Sequence, residues 1–86
     1  MLRFRQSAFE HDITEDQIEE VLLDRWGMTK WFKIHDDDDG NSQDMAVGFD
    51  REGSPLEVGL TYINDDEVVF HADDVTPAWQ IQYNED

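Results

Sequence analysis

The chain has 86 residues, 22 of them acidic against six basic, a formal charge of −16 at pH 7, and no cysteine. A chain this short buries only about 60 to 65% of the surface it exposes when unfolded, so one modest core is the ceiling. The missing cysteines exclude disulfides, thiolate metal sites and a thiol nucleophile, and the charge opposes binding to phosphate backbones and anionic membranes.

Residues 2–5 alternate enough to start a short strand, and Ser7-Ala8-Phe9-Glu10 has the form of a capping box opening a single helical turn. A second capping box, Thr14-Glu15-Asp16-Gln17, opens a longer helix, with Ile13 and Ile18 placed as a hydrophobic staple across the cap. Ile18, Val21, Leu22 and Trp26 recur at helical spacing and Gly27 follows as a stop, which predicts a helix over 15–26.

From Trp31 the period becomes two. Residues 31–35 form a candidate strand, followed by an aspartate-rich loop around Gly40. Met45, Val47 and Phe49 then share one face of a second strand. After a turn at 51–54, Leu56, Val58, Leu60 and Tyr62 share a face of a third strand. Asn64-Asp65-Asp66 turns into a fourth, where Val68, Phe70 and Ala72 share a face. Thr76-Pro77 opens a short C-terminal helix, with Thr as cap and Pro at the first helical position. The expected fold is α+β and two-layered: one main helix on a four-stranded antiparallel meander, with a short C-terminal helix, as one unit over 1–86. The start resembles no signal peptide and no run approaches the ~20 apolar residues of a membrane span, so a cytoplasmic protein without membrane contact is expected.

Few constellations carry chemistry. The run 36–39 is all aspartate, but an EF-hand alignment with Gly40 at loop position six puts His35 first and Ala46 where a bidentate Glu belongs. It reads as a solvated hairpin loop. The histidines, at 11, 35 and 71, lack the spacing that lines ligands along one helix, and no glycine-rich phosphate loop is present. Neither metal nor cofactor is called for. His71 stands out: it lies near the end of the last predicted strand, on the face opposite Val68 and Phe70. There it can serve as general acid or base, or simply bond a turn at the sheet rim.

Three stretches together resemble small bacterial toxin-like proteins related to the BrnT family, which share the RelE-type ribonuclease fold. They are Ser7-Ala8-Phe9-Glu10-His11 with the segment leading to Ile18, Gly53-Ser54-Pro55-Leu56-Glu57-Val58-Gly59, and Val68-Val69-Phe70-His71-Ala72. The resemblance spans nearly the whole chain. It implies a toxin–antitoxin lineage, a metal-independent ribonuclease activity, an antitoxin partner, and site roles for His71 and His11, with Glu57 as a further candidate. The family's end motif continues into a methionine and two basic residues, where this chain has Asp73, Thr76 and Ala78. Losing cations at an RNA-cleaving site weakens phosphate binding and transition-state stabilisation together.

Two functions follow as expectations. One is a divergent toxin-like protein with weak or lost RNA cleavage, which needs Arg3, Arg5, Lys30 and Lys33 gathered on one rim beside His71 if RNA is to be held. The other is a noncatalytic acidic module that binds a basic protein or mimics nucleic acid. A blander source of the acidity is solubility or adaptation to high salt, consistent with fourteen Asp and two Lys.

Overall fold

Thr14 begins the main helix as its sequence predicts. The Gln17 N–H donates to Thr14 Oγ1 at 3.2 Å and the Thr14 N–H donates to Gln17 Oε1 at 2.9 Å, a reciprocal capping box. In this computed structural model, which describes residues 1–36 and 38–85, the helix α1 spans Glu15–Leu23. It stops short of the expected Trp26 because Asp24 turns left-handed, with φ at 54°. Asp24 donates its N–H to the Val21 carbonyl, and its carboxylate accepts from the N–H groups of Met28 and Thr29. Trp26 therefore leaves the helical face. It lies half exposed in the turn, its indole N–H donating to the Asp50 carbonyl at 2.9 Å.

The strands are β1 (Leu2–Phe4), β2 (Lys30–Ile34), β3 (Gln43–Phe49), β4 (Pro55–Ile63) and β5 (Asp66–Asp74); α2 spans Pro77–Glu85. They form one sheet in the order β1-β5-β4-β3-β2. The meander from β2 to β5 is antiparallel, as its short turns require. The expected four-stranded antiparallel sheet is nonetheless corrected to a five-stranded mixed one, because β1 joins the edge parallel to β5. Everything between β1 and β5 acts as the crossover that parallel pairing demands.

The expected capping box at Ser7 does not form. A 3-10 turn over Gln6–Phe9 follows Arg5 without a side-chain cap, and the Ser7 hydroxyl donates instead to the Phe70 carbonyl at 2.6 Å. That bond ties the turn to β5 and carries the chain over the sheet edge toward His11.

Register decides which residues meet α1. Val58 stands between Ala46 and Ala72, and Leu60 opposite Val69. With Leu56 these pack under Ile18 and Val21 of α1, joined by Ala8 and Ile13. Ile18 and Val21 are fully buried, each worth about 2 kcal/mol of apolar burial. Gly48 sits under the same helix, where a side chain would strike the Thr29 hydroxyl. The pairing slips between Gly59 and Leu60: Gly59 faces His71 and Leu60 faces Val69, leaving Phe70 as the extra residue of a β-bulge. The slip places Val69 in the α1-side core, so the expected alternation through Val68, Phe70 and Ala72 breaks at Phe70.

Met45, Val47 and Val68 are buried as well but lie outside that core cluster, on the other face of the sheet. There α2 is held by Trp79 against Phe32 at 5.8 Å, by Tyr83 against Phe49 at 6.0 Å, and by Lys30, whose ammonium group lies 4.4 Å from the Tyr83 ring centroid. The two helices thus serve opposite faces rather than one. Among the described residues no helix is long and apolar enough to cross a membrane.

The aspartate run at 36–39 includes Asp37, which lies outside the described residues. Asp36, Asp38 and Asp39 are exposed, and Asp36 pairs with Lys33 at 3.1 Å. No group of three or more His, Asp or Glu among the described residues is arranged to hold a metal.

Candidate functional site

Glu57 and His71 come from neighbouring strands. Glu57 faces Asp73 across the β4–β5 ladder and His71 faces Gly59, two residues along, so both point to the sheet face opposite α1. His71 Nε2 lies 2.7 Å from Glu57 Oε2. The other carboxylate oxygen accepts from the Thr76 N–H at 2.7 Å and from the Thr76 hydroxyl at 2.8 Å. Glu57 is only 3% exposed. A buried carboxylate is costly unless every lone pair is used, and here three donors converge on it.

The geometry sets the tautomer. A carboxylate can only accept, so the proton between the two groups resides on Nε2, and a neutral His71 presents its Nδ1 lone pair outward. His71 keeps more than a quarter of its side chain in solvent. A part-exposed histidine oriented by a buried carboxylate is the arrangement that general-base chemistry uses.

His11 reaches the same place from the segment between the 3-10 turn and α1. Its ring packs edge-on to His71, with centroids 5.6 Å apart, and its Nδ1 lies 3.7 Å from an Asp73 carboxylate oxygen. All three residues singled out from sequence, His11, Glu57 and His71, therefore meet. His35, by contrast, is exposed beyond the end of β2, the strand at the far edge of the sheet.

The sequence marks Thr76 as a helix cap and as a replaced basic position, not as a partner of Glu57. Its position between the end of β5 and Pro77 was the available signal, because a hydroxyl and an N–H exposed at a strand–helix junction have to bond something. Asp50 also went unnoticed. It is 4% exposed, and its carboxylate accepts from Gln17 Nε2 and from the N–H groups of Glu52 and Ser54, bracing α1 to the β3–β4 turn. Burial pushes its carboxyl up, and the Gln17, Ser54, Glu52 and Gly53 donors outweigh that and hold it below the ordinary aspartate value.

The basic residues do not gather on one rim, which corrects the single-rim expectation. Lys30 and Lys33 are on β2, and Arg3 and Arg5 are on or beside β1, at the opposite edge of the sheet. Arg3 pairs with Asp66 at 3.4 Å and shares a cavity with Arg5, Asn64 and Asp66 at the β4–β5 turn. Lys30 donates to the Tyr83 carbonyl, Arg51 pairs with Glu20 at 2.7 Å, and Arg25 lies over the Trp26 ring. Asp73 stands beside the site instead, 3.7 Å from His11 Nδ1.

What the fold and site define is a mixed-sheet α+β domain carrying a carboxylate-anchored histidine pair in acidic surroundings. No family model, curated protein or solved structure matches the chain.

Proposed function

We propose that this chain is a divergent toxin-like domain, of the toxin–antitoxin lineage its sequence resembles, that has kept a pair of proton-transfer groups and lost its hold on RNA. The observation that carries the reading is the meeting of His11, His71 and the buried Glu57 at one place while Arg3 and Arg5 are parted from Lys30 and Lys33 at opposite edges of the sheet. Phosphodiester cleavage without a metal needs one group to take a proton and another to give one, and two adjacent histidines provide that. It also needs cations around the phosphate, whereas the charged neighbour beside His11 is the carboxylate of Asp73. Residual cleavage is therefore slow, metal-independent and steeply suppressed by salt.

The test is RNA cleavage in the presence of a chelator at low ionic strength, comparing the wild type with His71→Ala. Slow cleavage that disappears in the variant supports the reading. Equal cleavage by both proteins would place the activity elsewhere and end it.

A second reading is a noncatalytic acidic binding module. The engagement of Arg3, Lys33 and Arg51 by this chain's own carboxylates favours it, because the surface offered to partners is then almost wholly anionic. Such a surface speeds encounter with a basic protein and selects against polyanions. No RNA cleavage by either protein, together with salt-sensitive capture of a basic protein, would favour this reading over the first.

A further inference from the structure

On the sheet face opposite Glu57 and His71, α1 and β1 leave an open groove of about 430 Å³ between them. Leu2, Leu22 and Leu23 line it with aliphatic surface, and two carboxylates rim it, Glu19 from α1 and Glu67 from β5. Leu23 is 80% exposed at the end of α1, a large side chain left in water although the core lies one turn away. Neither Glu19 nor Glu67 has a hydrogen bond or ion pair through its carboxylate among the described residues. The cations at the start of the chain do not neutralise them, since the Met1 ammonium group and Arg3 are both held by Asp66, at 3.3 and 3.4 Å. Beyond Leu23 the surface continues into a second hollow of mixed charge, lined by Asp16, Glu20, Arg25 and Arg51, with Arg51 held by Glu20.

Apolar surface framed by unpaired carboxylates selects its occupant by charge. A second copy of this chain brings its own −16 and is repelled. Anionic lipid and nucleic acid are excluded for the same reason. An aliphatic segment carrying bases on both sides of its apolar residues satisfies both features at once, because its side chains cover the leucines while the flanking cations meet Glu19 and Glu67.

We propose that this groove docks a segment of another protein in which leucine-like side chains are flanked by lysine or arginine. The proposal rests on the binding-module reading and names its surface and the chemistry of its partner. The groove is on the other side of the sheet from the histidine pair, so its occupancy does not depend on any reaction there.

The experiment uses the whole chain and a fluorescent peptide built of Leu-Leu-Lys-Lys blocks, with binding followed by anisotropy at low salt. A control peptide carries serine in place of every leucine. Binding of the leucine peptide is expected to weaken about tenfold or more in the Glu19→Lys/Glu67→Lys variant and about threefold in Leu23→Ser. It should stay within about twofold in the charge-matched Asp38→Lys/Glu85→Lys variant. Circular dichroism confirms that each variant folds, and Leu23, exposed already, provides a variant with little structural cost. Equal loss in both double variants, or equal binding of the serine peptide, overturns the groove while leaving an acidic binder in place. If neither peptide binds the wild type at low salt, both the groove and the binding-module reading fall.

Discussion

The ring of Phe70 lies against the backbone of Gly59, so close that a Cβ placed on the glycine would stand 2.9 Å from the ring's Cζ and 3.1 Å from Cε2. The bulge brings the two together, and the same bulge leaves His71 directly opposite Gly59, within reach of Glu57. Gly59→Ala is expected to destabilise the domain by about 2 kcal/mol through overpacking. Urea unfolding measures this. The cost should shrink in Gly59→Ala/Phe70→Leu, where the flat ring no longer covers the position, and strictly additive effects would count against the contact.

Glu57→Ala strands three donors, the His71 ring N–H and both Thr76 groups, beside a new cavity. A loss of about 3 kcal/mol is expected, with Glu57→Gln milder because it keeps one acceptor oxygen. Nitrogen-15 NMR of the histidine rings gives a reading independent of stability. Neutral His71 should carry its proton on Nε2 in the wild type and show a mixed tautomer population in Glu57→Ala.

Alkaline titration should single out Tyr62. Its hydroxyl donates to Asp44 at 2.8 Å, and its pKa is pushed up to about 12, first by burial, then by the Asp44 hydrogen bond and charge and by the charge of Glu67. The folded protein holds this proton more tightly than the unfolded chain. The stabilisation is thus complete below pH 10 and is lost as pH rises toward 12. Ultraviolet absorbance should show one tyrosine ionising late, and Tyr62→Phe should remove that late step.

At the acid end Asp50 has the opposite sign. Its carboxyl is held below the ordinary 3.8, so its contribution is present above that value and is lost as pH falls through the lower folded-state value. Asp50→Asn should therefore flatten the acid limb of the stability curve and loosen the β3–β4 turn. Unchanged acid unfolding in the variant would show that other carboxylates dominate that limb.

Legibility from sequence followed how local the cause was. The capping box at Thr14 and the staple of Ile13 and Ile18 depend on residues a few positions apart, and the helix start was read correctly. The end was not, because a polar residue adopting a left-handed conformation at Asp24 has no strong sequence signature when a glycine three positions later offers a more usual stop. Strand alternation located β3 and β4 but was misread through β5, where the bulge at Phe70 shifts Val69 into the core. The partner of β1 was invisible, since nothing near residues 2–4 encodes pairing with residues 67–69. His11, Glu57 and His71 could be named as candidates, whereas their assembly depends on the register slip and on the Ser7 bond to Phe70, both of which arise from tertiary structure.

The parallel pairing of β1 with β5 also bears on how the molecule is made. Leu2 and Phe4 pack against the core only when Glu67 to Val69 are in place beside them, so residues 2–4 wait for partners far along the chain. Contacts of such sequence separation close late and slow the search for the native state. Until β5 has formed, β4 is an open edge and β1 has no strand to join, and the dense negative charge of the chain opposes edge-to-edge association of such partly formed molecules.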